Sequence, residues 1–154
     1  MKVKTIIKII LVILWMFIIF NFSSADGELS SSMSNRLIIR ITESIKHKKL
    51  NDEEKEYILE RFDPFVRKTA HFIEFFILSI LVFITLIDFK LTNKQLILYT
   101  MIICILYASS DEIHQLFVSE RAGRLFDVFI DSLGSLTAVY ISLFIHKLKL
   151  NNRS

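Results

Sequence analysis

Residues 67–87 read RKTAHFIEFFILSILVFITLI. Two basic residues, a histidine and a glutamate therefore lead directly into an apolar run, and a helix needs about 20 mostly apolar residues to cross a bilayer. Ionisable side chains at membrane depth are costly, so they usually face the protein interior, pair with one another and mark a functional site. This stretch predicts a membrane-spanning helix that carries polar groups at one of its ends.

Three other segments of the chain are similarly apolar. Together with the segment above, they give predicted spans at about 6–22, 69–87, 95–117 and 128–145. The third span is long enough only if it continues through Asp111, and the fourth only if it includes Asp131. The polar residues therefore belong to the helices themselves. We predict an all-α bundle of four membrane-spanning helices that forms a single domain over residues 1–154.

The composition agrees with a protein embedded in lipid. Of the 154 residues, 53% are hydrophobic and 14 are Phe, whereas Gly and Pro are rare, which is unusual for a soluble domain. The net charge of +3 does not indicate a nucleic-acid partner, because the basic residues bracket apolar segments instead of covering one face. The single cysteine, Cys104, excludes an intramolecular disulfide.

The distribution of basic residues predicts the orientation. With four spans and a cytoplasmic N-terminus, the inner side carries Lys2, Lys4, Lys8, Lys90, Lys94, Lys147, Lys149 and Arg153. The positive-inside rule therefore predicts a multi-pass protein with both termini in the cytoplasm. A rival interpretation treats the first span as a signal peptide that is cleaved after Ala25. We favour a retained helix, because the apolar run is long for a signal peptide.

The connection between the first two spans, about 23–68, is predicted to be helical and extracytoplasmic. Four aliphatic residues recur at helical spacing between basic residues: Leu37, Ile38, Ile41 and Ile45. This pattern is typical of an amphipathic helix on the outer membrane surface. Asn51 followed by Glu54 resembles a capping box that starts a second short helix. Asp63 and Pro64 predict the N-cap and first residue of the second membrane helix.

Three polar clusters lie at ends of the predicted spans. They comprise Arg67, Lys68, His71 and Glu74; Asp111, Glu112, His114 and Gln115; and Arg121, Arg124, Asp127 and Asp131. Within each cluster, several members are three or four residues apart and so share a helix face. The second span begins, the third ends and the fourth begins on the same side of the membrane. We therefore expect the three clusters to face one outward-opening cavity.

These clusters resemble the VanZ-like family of bacterial membrane proteins. The resemblance is carried by RKTAHFIEF at 67–75, SDEIHQLFV at 110–118, Arg121 followed by DVFIDSLG at 127–134, and FSS at 22–24. Ser119 and Glu120 stand where the family often has Pro-Gly, and Phe75 stands where it often has tyrosine. None of these departures removes a charged member of the three clusters.

The resemblance implies one VanZ-like domain in the bacterial cytoplasmic membrane, with the first helix retained as part of the domain. The family takes its name from a glycopeptide-resistance element associated with reduced susceptibility to teicoplanin, a lipidated glycopeptide. The resemblance therefore implies a role at the cell envelope and a contribution to teicoplanin tolerance. No settled biochemical activity comes with the family, so a mechanism has to be argued from the residues.

An enzyme acting on an envelope lipid or lipid-linked precursor is one hypothesis. Histidines and buried carboxylates can exchange protons near neutral pH, and the catalytic candidates are His71, Glu74, Asp111, Glu112, His114 and Asp131. Basic and polar groups can hold a phosphate, and the ligand-binding candidates are Arg67, Lys68, Gln115, Arg121, Arg124 and Asp127. Histidine and carboxylates also suit a divalent metal, but the sequence does not determine a ligand set or a cofactor.

Two alternatives stay open from the sequence. The site could bind a lipid head group or the lipoglycopeptide itself without catalysis. The charges could instead be structural ion pairs that only fix helix register, such as Arg124 with Asp127. Membrane lipid is the predicted partner in every case, and the sequence gives no oligomeric state.

Overall fold

The computed structural model describes residues 2–24, 27–119 and 124–152 of the chain. Over these ranges it contains α-helices, one short 3₁₀ helix and no strand. The α-helices are α1 (Val3–Ser24), α2 (Gly27–Lys46), α3 (Asp52–Leu86), α4 (Asn93–Gln115) and α5 (Leu125–Asn151), and the 3₁₀ helix is Ile87–Phe89. The prediction of an all-α protein is confirmed. Ala25, the alternative cleavage point, lies outside the described residues.

Four of these helices are long and apolar enough to cross a membrane. They are α1, α3 with its 3₁₀ extension, α4 and α5, and the four predicted spans overlap them. Helix α4 runs without interruption through Asp111, and α5 includes Asp131. The prediction that Asp111 and Asp131 belong to the spanning helices is therefore confirmed, whereas Arg124 directly precedes α5. Large apolar side chains face outward on all four helices, as expected of a bundle whose surroundings are lipid.

The start of α3 follows its sequence signals only in part. The Asn51 side chain accepts a hydrogen bond from the Glu54 backbone at 2.7 Å, and the Glu54 carboxylate accepts one from the Asn51 backbone at 3.2 Å. The predicted capping box is confirmed. The predicted helix boundary at Asp63 and Pro64 is wrong, because α3 continues through Pro64 as one 35-residue helix. Asp63 does not cap a helix there but binds Arg67, one turn further on, at 3.1 Å.

Packing between α2 and the first half of α3 explains why the helix continues. Ile38 of α2 joins Leu50 and Ile58 in a small buried core, against which Leu59 and Val66 also pack. This core holds the backbone helical on both sides of Pro64, although an interior proline costs a hydrogen bond and usually bends or breaks a helix. The helix predicted for the connection is therefore present as α2, and one of its four aliphatic residues is buried in this core.

Helix α3 occupies the centre of the bundle, in contact with α1, α4 and α5. It approaches α5 closely at Gly134, where an added Cβ would lie 2.4 Å from the Phe72 carbonyl oxygen. The Ser79 hydroxyl donates to the Ser135 carbonyl at 2.9 Å, and the Ser135 hydroxyl donates to the Phe75 carbonyl at 3.4 Å. Small residues and inter-helix hydrogen bonds of this kind hold membrane helices together.

The opposite end of the bundle is the end at which α1 begins and α3 finishes. Asp88 lies there and accepts hydrogen bonds from Lys8 Nζ at 2.7 Å and from the Thr5 hydroxyl at 2.9 Å. Lys8 also donates to the Ile84 carbonyl at 3.0 Å. One aspartate therefore joins two helices with both of its carboxylate oxygens used.

Candidate functional site

The charged end of the bundle lies at the other end of the same helices. Three contacts define it. His71 Nδ1 of α3 lies 3.7 Å from Asp131 Oδ1 of α5, and Ser24 Oγ of α1 lies 3.0 Å from His114 Nε2 of α4. The Arg124 backbone N–H, at the start of α5, donates to Glu112 Oε2 of α4 at 2.8 Å. The structure thus brings residues of all three predicted clusters to one end of the bundle.

His71, Glu112 and Asp131 form the centre of the charged end. One side-chain donor atom from each of the three residues lies within 4.8 Å of the others. Asp131 is 0% exposed and Glu112 is 5% exposed, while His71 is half-buried. Each residue comes from a different helix, so the His71–Glu112–Asp131 cluster exists only when α3, α4 and α5 are packed together.

Asp131 is the most unusual member of this cluster. Among the residues that the structure describes, neither of its carboxylate oxygens has a hydrogen-bond partner. Four further carboxyl groups are close enough to interact with it electrostatically, namely Glu74, Asp111, Glu112 and Asp127. A buried, uncompensated carboxylate is strongly unfavourable. The charged end therefore requires protons or positive charge to balance its acids.

The other candidate residues of α4 make two separate sets of contacts. Asp111 is buried, and its Oδ2 accepts a hydrogen bond from Gln115 Nε2 at 3.1 Å. His114 lies instead against α1, where its ring stacks on Phe20 with the centroids 4.5 Å apart. The two predicted catalytic histidines therefore occupy different places, with His71 in the acidic cluster and His114 at the contact between α4 and α1.

Three described basic residues lie near the charged end, and each makes a contact of its own there. Arg67 is paired with Asp63, and Lys68 Nζ lies 4.6 Å from the centroid of the Phe126 ring. The Arg124 residue is exposed, and its contact with Glu112 is made by the backbone. These residues form a partly exposed basic rim. Arg121, predicted to bind ligand, lies outside the described residues.

The structural alternative from the sequence gave an ion pair between Arg124 and Asp127 as one example. Within the described part of the chain, no salt bridge joins these two side chains. Asp127 instead donates its backbone N–H to the Arg124 carbonyl at 2.9 Å, in the first turn of α5. Its Oδ1 atom is buried and has no hydrogen-bond partner among the described residues.

Helix α1 is fixed against the charged end by two aromatic side chains. The Trp15 indole N–H donates to the Glu74 carbonyl at 3.0 Å, and the Tyr107 hydroxyl donates to the Met16 carbonyl at 2.5 Å. Glu74 itself is half-buried one turn from His71. These bonds position the last turn of α1, which carries Ser24.

Ser24 was not among the predicted site residues. Its hydroxyl donates to the Phe20 carbonyl at 2.6 Å and also reaches the His114 ring. The two residues are 90 positions apart, so no spacing argument could connect them. The one signal in the sequence was the FSS stretch at 22–24, which contributed to the family resemblance.

Comparison with known proteins gives a family and no further relative. The sequence profile of the VanZ/LLP1 family matches residues 8–146, a range that includes all the site residues discussed above. No curated protein and no solved structure matches the chain. Because the profile covers most of the sequence and the four-span fold agrees with the expected architecture, the chain belongs to the VanZ/LLP1 family of membrane proteins.

Proposed function

We propose that the charged end acts on the head group of an envelope lipid or lipid-linked precursor and so contributes to teicoplanin tolerance. The observation that carries this proposal is the His71 ring nitrogen 3.7 Å from the carboxylate of fully buried Asp131. Such an arrangement has little value for stability, since each buried charge must be desolvated. It is typical of sites that move protons or bind a charged ligand.

The position of the charged end favours a lipid over a soluble substrate. His71 and Asp131 belong to helices that are long and apolar enough to span the membrane. A lipid, or a molecule with a lipid anchor, would be held at the membrane surface close to these residues. We propose that this end faces outward from the bacterial cytoplasmic membrane, with both termini in the cytoplasm, because the short inner flanks carry more basic residues.

The exposed side of α2 supports an approach along the membrane surface. Arg36 and Arg40 line a groove there together with Leu37 and Ile41. Apolar side chains beside basic ones are what an anionic lipid surface attracts. We propose that α2 lies against the outer surface, where it would concentrate lipid head groups near the charged end.

The chemistry proposed for the cluster is proton transfer by His71. A neighbouring carboxylate orients an imidazole and stabilises its protonated form, which is the usual arrangement of a general acid or base. Asp131 would have this role, and the basic rim of Arg67, Lys68 and Arg124 would attract the phosphate of a head group. Glu112, fixed by the Arg124 backbone, lies beside the same ring.

Non-catalytic binding is the second candidate, and the basic rim is the observation that favours it. Lys68 over Phe126 combines a cation, an aromatic face and an outward position, which suits a head group or a lipoglycopeptide. The two candidates differ in their chemical demands. Catalysis requires the proton-transfer groups themselves, whereas binding tolerates replacements that preserve charge and shape.

The test is teicoplanin susceptibility of a Gram-positive host that expresses the chain at matched membrane abundance. His71→Gln and Asp131→Asn are expected to return susceptibility to that of the host without the chain. The matched control is His146→Gln, because His146 lies at the opposite end, where it packs edge-on against Phe83. Protection by the native chain and by all three variants alike would sink the proposed role of the charged end.

A further inference from the structure

We infer that His71, Glu112 and Asp131 bind one divalent metal ion at the charged end. The three residues offer an imidazole nitrogen and two carboxylate oxygens, all within 4.8 Å of one another. In a mononuclear site with metal–ligand distances of about 2.1 Å, neighbouring donor atoms are roughly 3–3.5 Å apart. The three donors therefore have to move somewhat closer together for one ion to contact all of them.

The state of Asp131 is the independent observation that points to a cation. It is 0% exposed, and neither of its oxygens has a hydrogen-bond partner among the described residues. Buried polar groups in native proteins are nearly always satisfied, so each exception needs an explanation. A metal ion between Asp131 and its two neighbours would satisfy the carboxylate and offset the repulsion among the acids.

Glu112 has the orientation that a metal ligand needs. Its Oε2 accepts the Arg124 backbone N–H at 2.8 Å, at the point where α5 begins. Hydrogen bonds of this kind fix the orientation of a ligating carboxylate. The same bond links α4 to the start of α5, so a metal on Glu112 and Asp131 would join the two helices at a second point.

The donor set indicates which ions fit. One imidazole and two carboxylates suit Zn²⁺ or Mn²⁺, whereas ions that select thiolates would find no suitable donor in the cluster. Three protein ligands leave at least one coordination position for water or a ligand. The metal site is compatible with the binding form of the proposed function, because an imidazole that ligates a metal ion cannot also accept a proton as a general base. In that form, a phosphate head group could bind at the open position, which explains how an acidic cluster could receive an anion. The metal site itself does not depend on that function.

Metal binding can be measured on the purified full-length chain in detergent micelles. Mn²⁺ alone is the probe, because its six-line electron paramagnetic resonance signal weakens on binding, and Zn²⁺ is added as a competitor. The native chain is expected to bind one Mn²⁺. Asp131→Asn and Glu112→Gln, which are nearly isosteric, are each expected to weaken binding by about tenfold or more. Asp88→Asn is the matched control at the opposite end and should bind as the native chain does.

Thermal unfolding provides a second readout. A ligand that binds only the folded state stabilises it, so Mn²⁺ should raise the unfolding midpoint of the native chain and of Asp88→Asn but not of the two site variants. Glu112→Gln keeps an oxygen that can accept the Arg124 N–H, so we expect this variant to fold. If Asp131→Asn does not fold, Mn²⁺ binding by Glu112→Gln is the test of the site. Absence of Mn²⁺ and Zn²⁺ binding by the folded native chain would overturn the inference. Equal affinity in the native chain and a folded site variant would overturn it too.

Discussion

Asp88 and Asp131 lie at opposite ends of the bundle, and their carboxylates differ in hydrogen bonding. Asp88 accepts hydrogen bonds from Lys8 and Thr5, with one bond to each carboxylate oxygen. Asp131 is fully buried, and its nearest described cation or potential cation is the His71 ring at 3.7 Å. The first arrangement connects helices, and the second leaves both carboxylate oxygens without a hydrogen-bond partner among the described residues.

The hydrogen bonding of a charged group offers a way to separate structural from functional charge in a membrane bundle. A structural ion pair uses the hydrogen-bonding capacity of its members, as Lys8, Asp88 and Thr5 do. A group kept for function can be left unsatisfied by the protein, because a substrate, a proton or a metal ion completes it. Stability and activity then depend on different residues, and substitutions at the two ends should affect different measurements.

The largest stability effect is expected at Gly134, which allows α5 to approach α3 beside the charged end. Gly134→Ala would place a Cβ 2.4 Å from the Phe72 carbonyl oxygen, so the helices must separate. Overpacking of this kind typically costs about 1–3 kcal/mol. We expect a lower unfolding midpoint and weaker Mn²⁺ binding, because His71 and Asp131 would move apart.

The matched control for Gly134 is the adjacent Leu133→Ala, since Leu133 faces outward. It should change the unfolding midpoint less than Gly134→Ala and leave Mn²⁺ binding intact. If Gly134→Ala were as stable as the native chain and bound Mn²⁺ equally well, the close packing of α3 and α5 would not position the site.

A smaller effect is expected where α1 meets His114. Ser24→Ala removes the hydroxyl that lies 3.0 Å from the His114 ring, and the net value of one hydrogen bond is about 1 kcal/mol. We expect a slightly lower unfolding midpoint and unchanged Mn²⁺ binding, because His114 lies outside the acidic cluster. Circular dichroism during heating measures the first quantity and electron paramagnetic resonance the second.

Ser109→Ala is the control for Ser24→Ala, because its hydroxyl bonds only within its own helix, to the Ile105 carbonyl. A Ser24→Ala chain as stable as the Ser109→Ala chain would mean that the Ser24–His114 contact contributes nothing to joining α1 and α4. Weaker Mn²⁺ binding in Ser24→Ala would instead connect His114 to the metal site.

The sequence predicted those features that depend on local chemistry. The spans follow from apolar length, and the start of α3 follows from the Asn51 and Glu54 side chains. The boundary at Pro64 was predicted wrongly, since packing of Ile38 and Ile58 between α2 and α3 overrides the local signal of a proline. Tertiary contacts of this kind are not visible in a single sequence.

The contacts within the site were also not predictable from the sequence, because they too depend on tertiary packing. Helical spacing placed Arg67 and His71 on one face of α3. Arg67 forms an ion pair with Asp63 of the same helix, whereas His71 lies against Asp131 of α5. The sequence offered twelve polar residues as candidates, six catalytic and six ligand-binding. Only the packing of α3, α4 and α5 selects His71, Glu112 and Asp131 from among them, and only the end of α1 adds Ser24.

Thermal unfolding of Asp131→Asn and Asp88→Asn, with a chelator present so that no metal contributes, tests whether Asp131 is kept for a purpose other than stability. We predict an unchanged or higher midpoint for Asp131→Asn, because a neutral amide is less costly to bury than a carboxylate. We predict a lower midpoint for Asp88→Asn, because its bond to Lys8 loses the charge. If Asp131→Asn lowered the unfolding midpoint more than Asp88→Asn does, Asp131 would be a structural residue and not one kept for function.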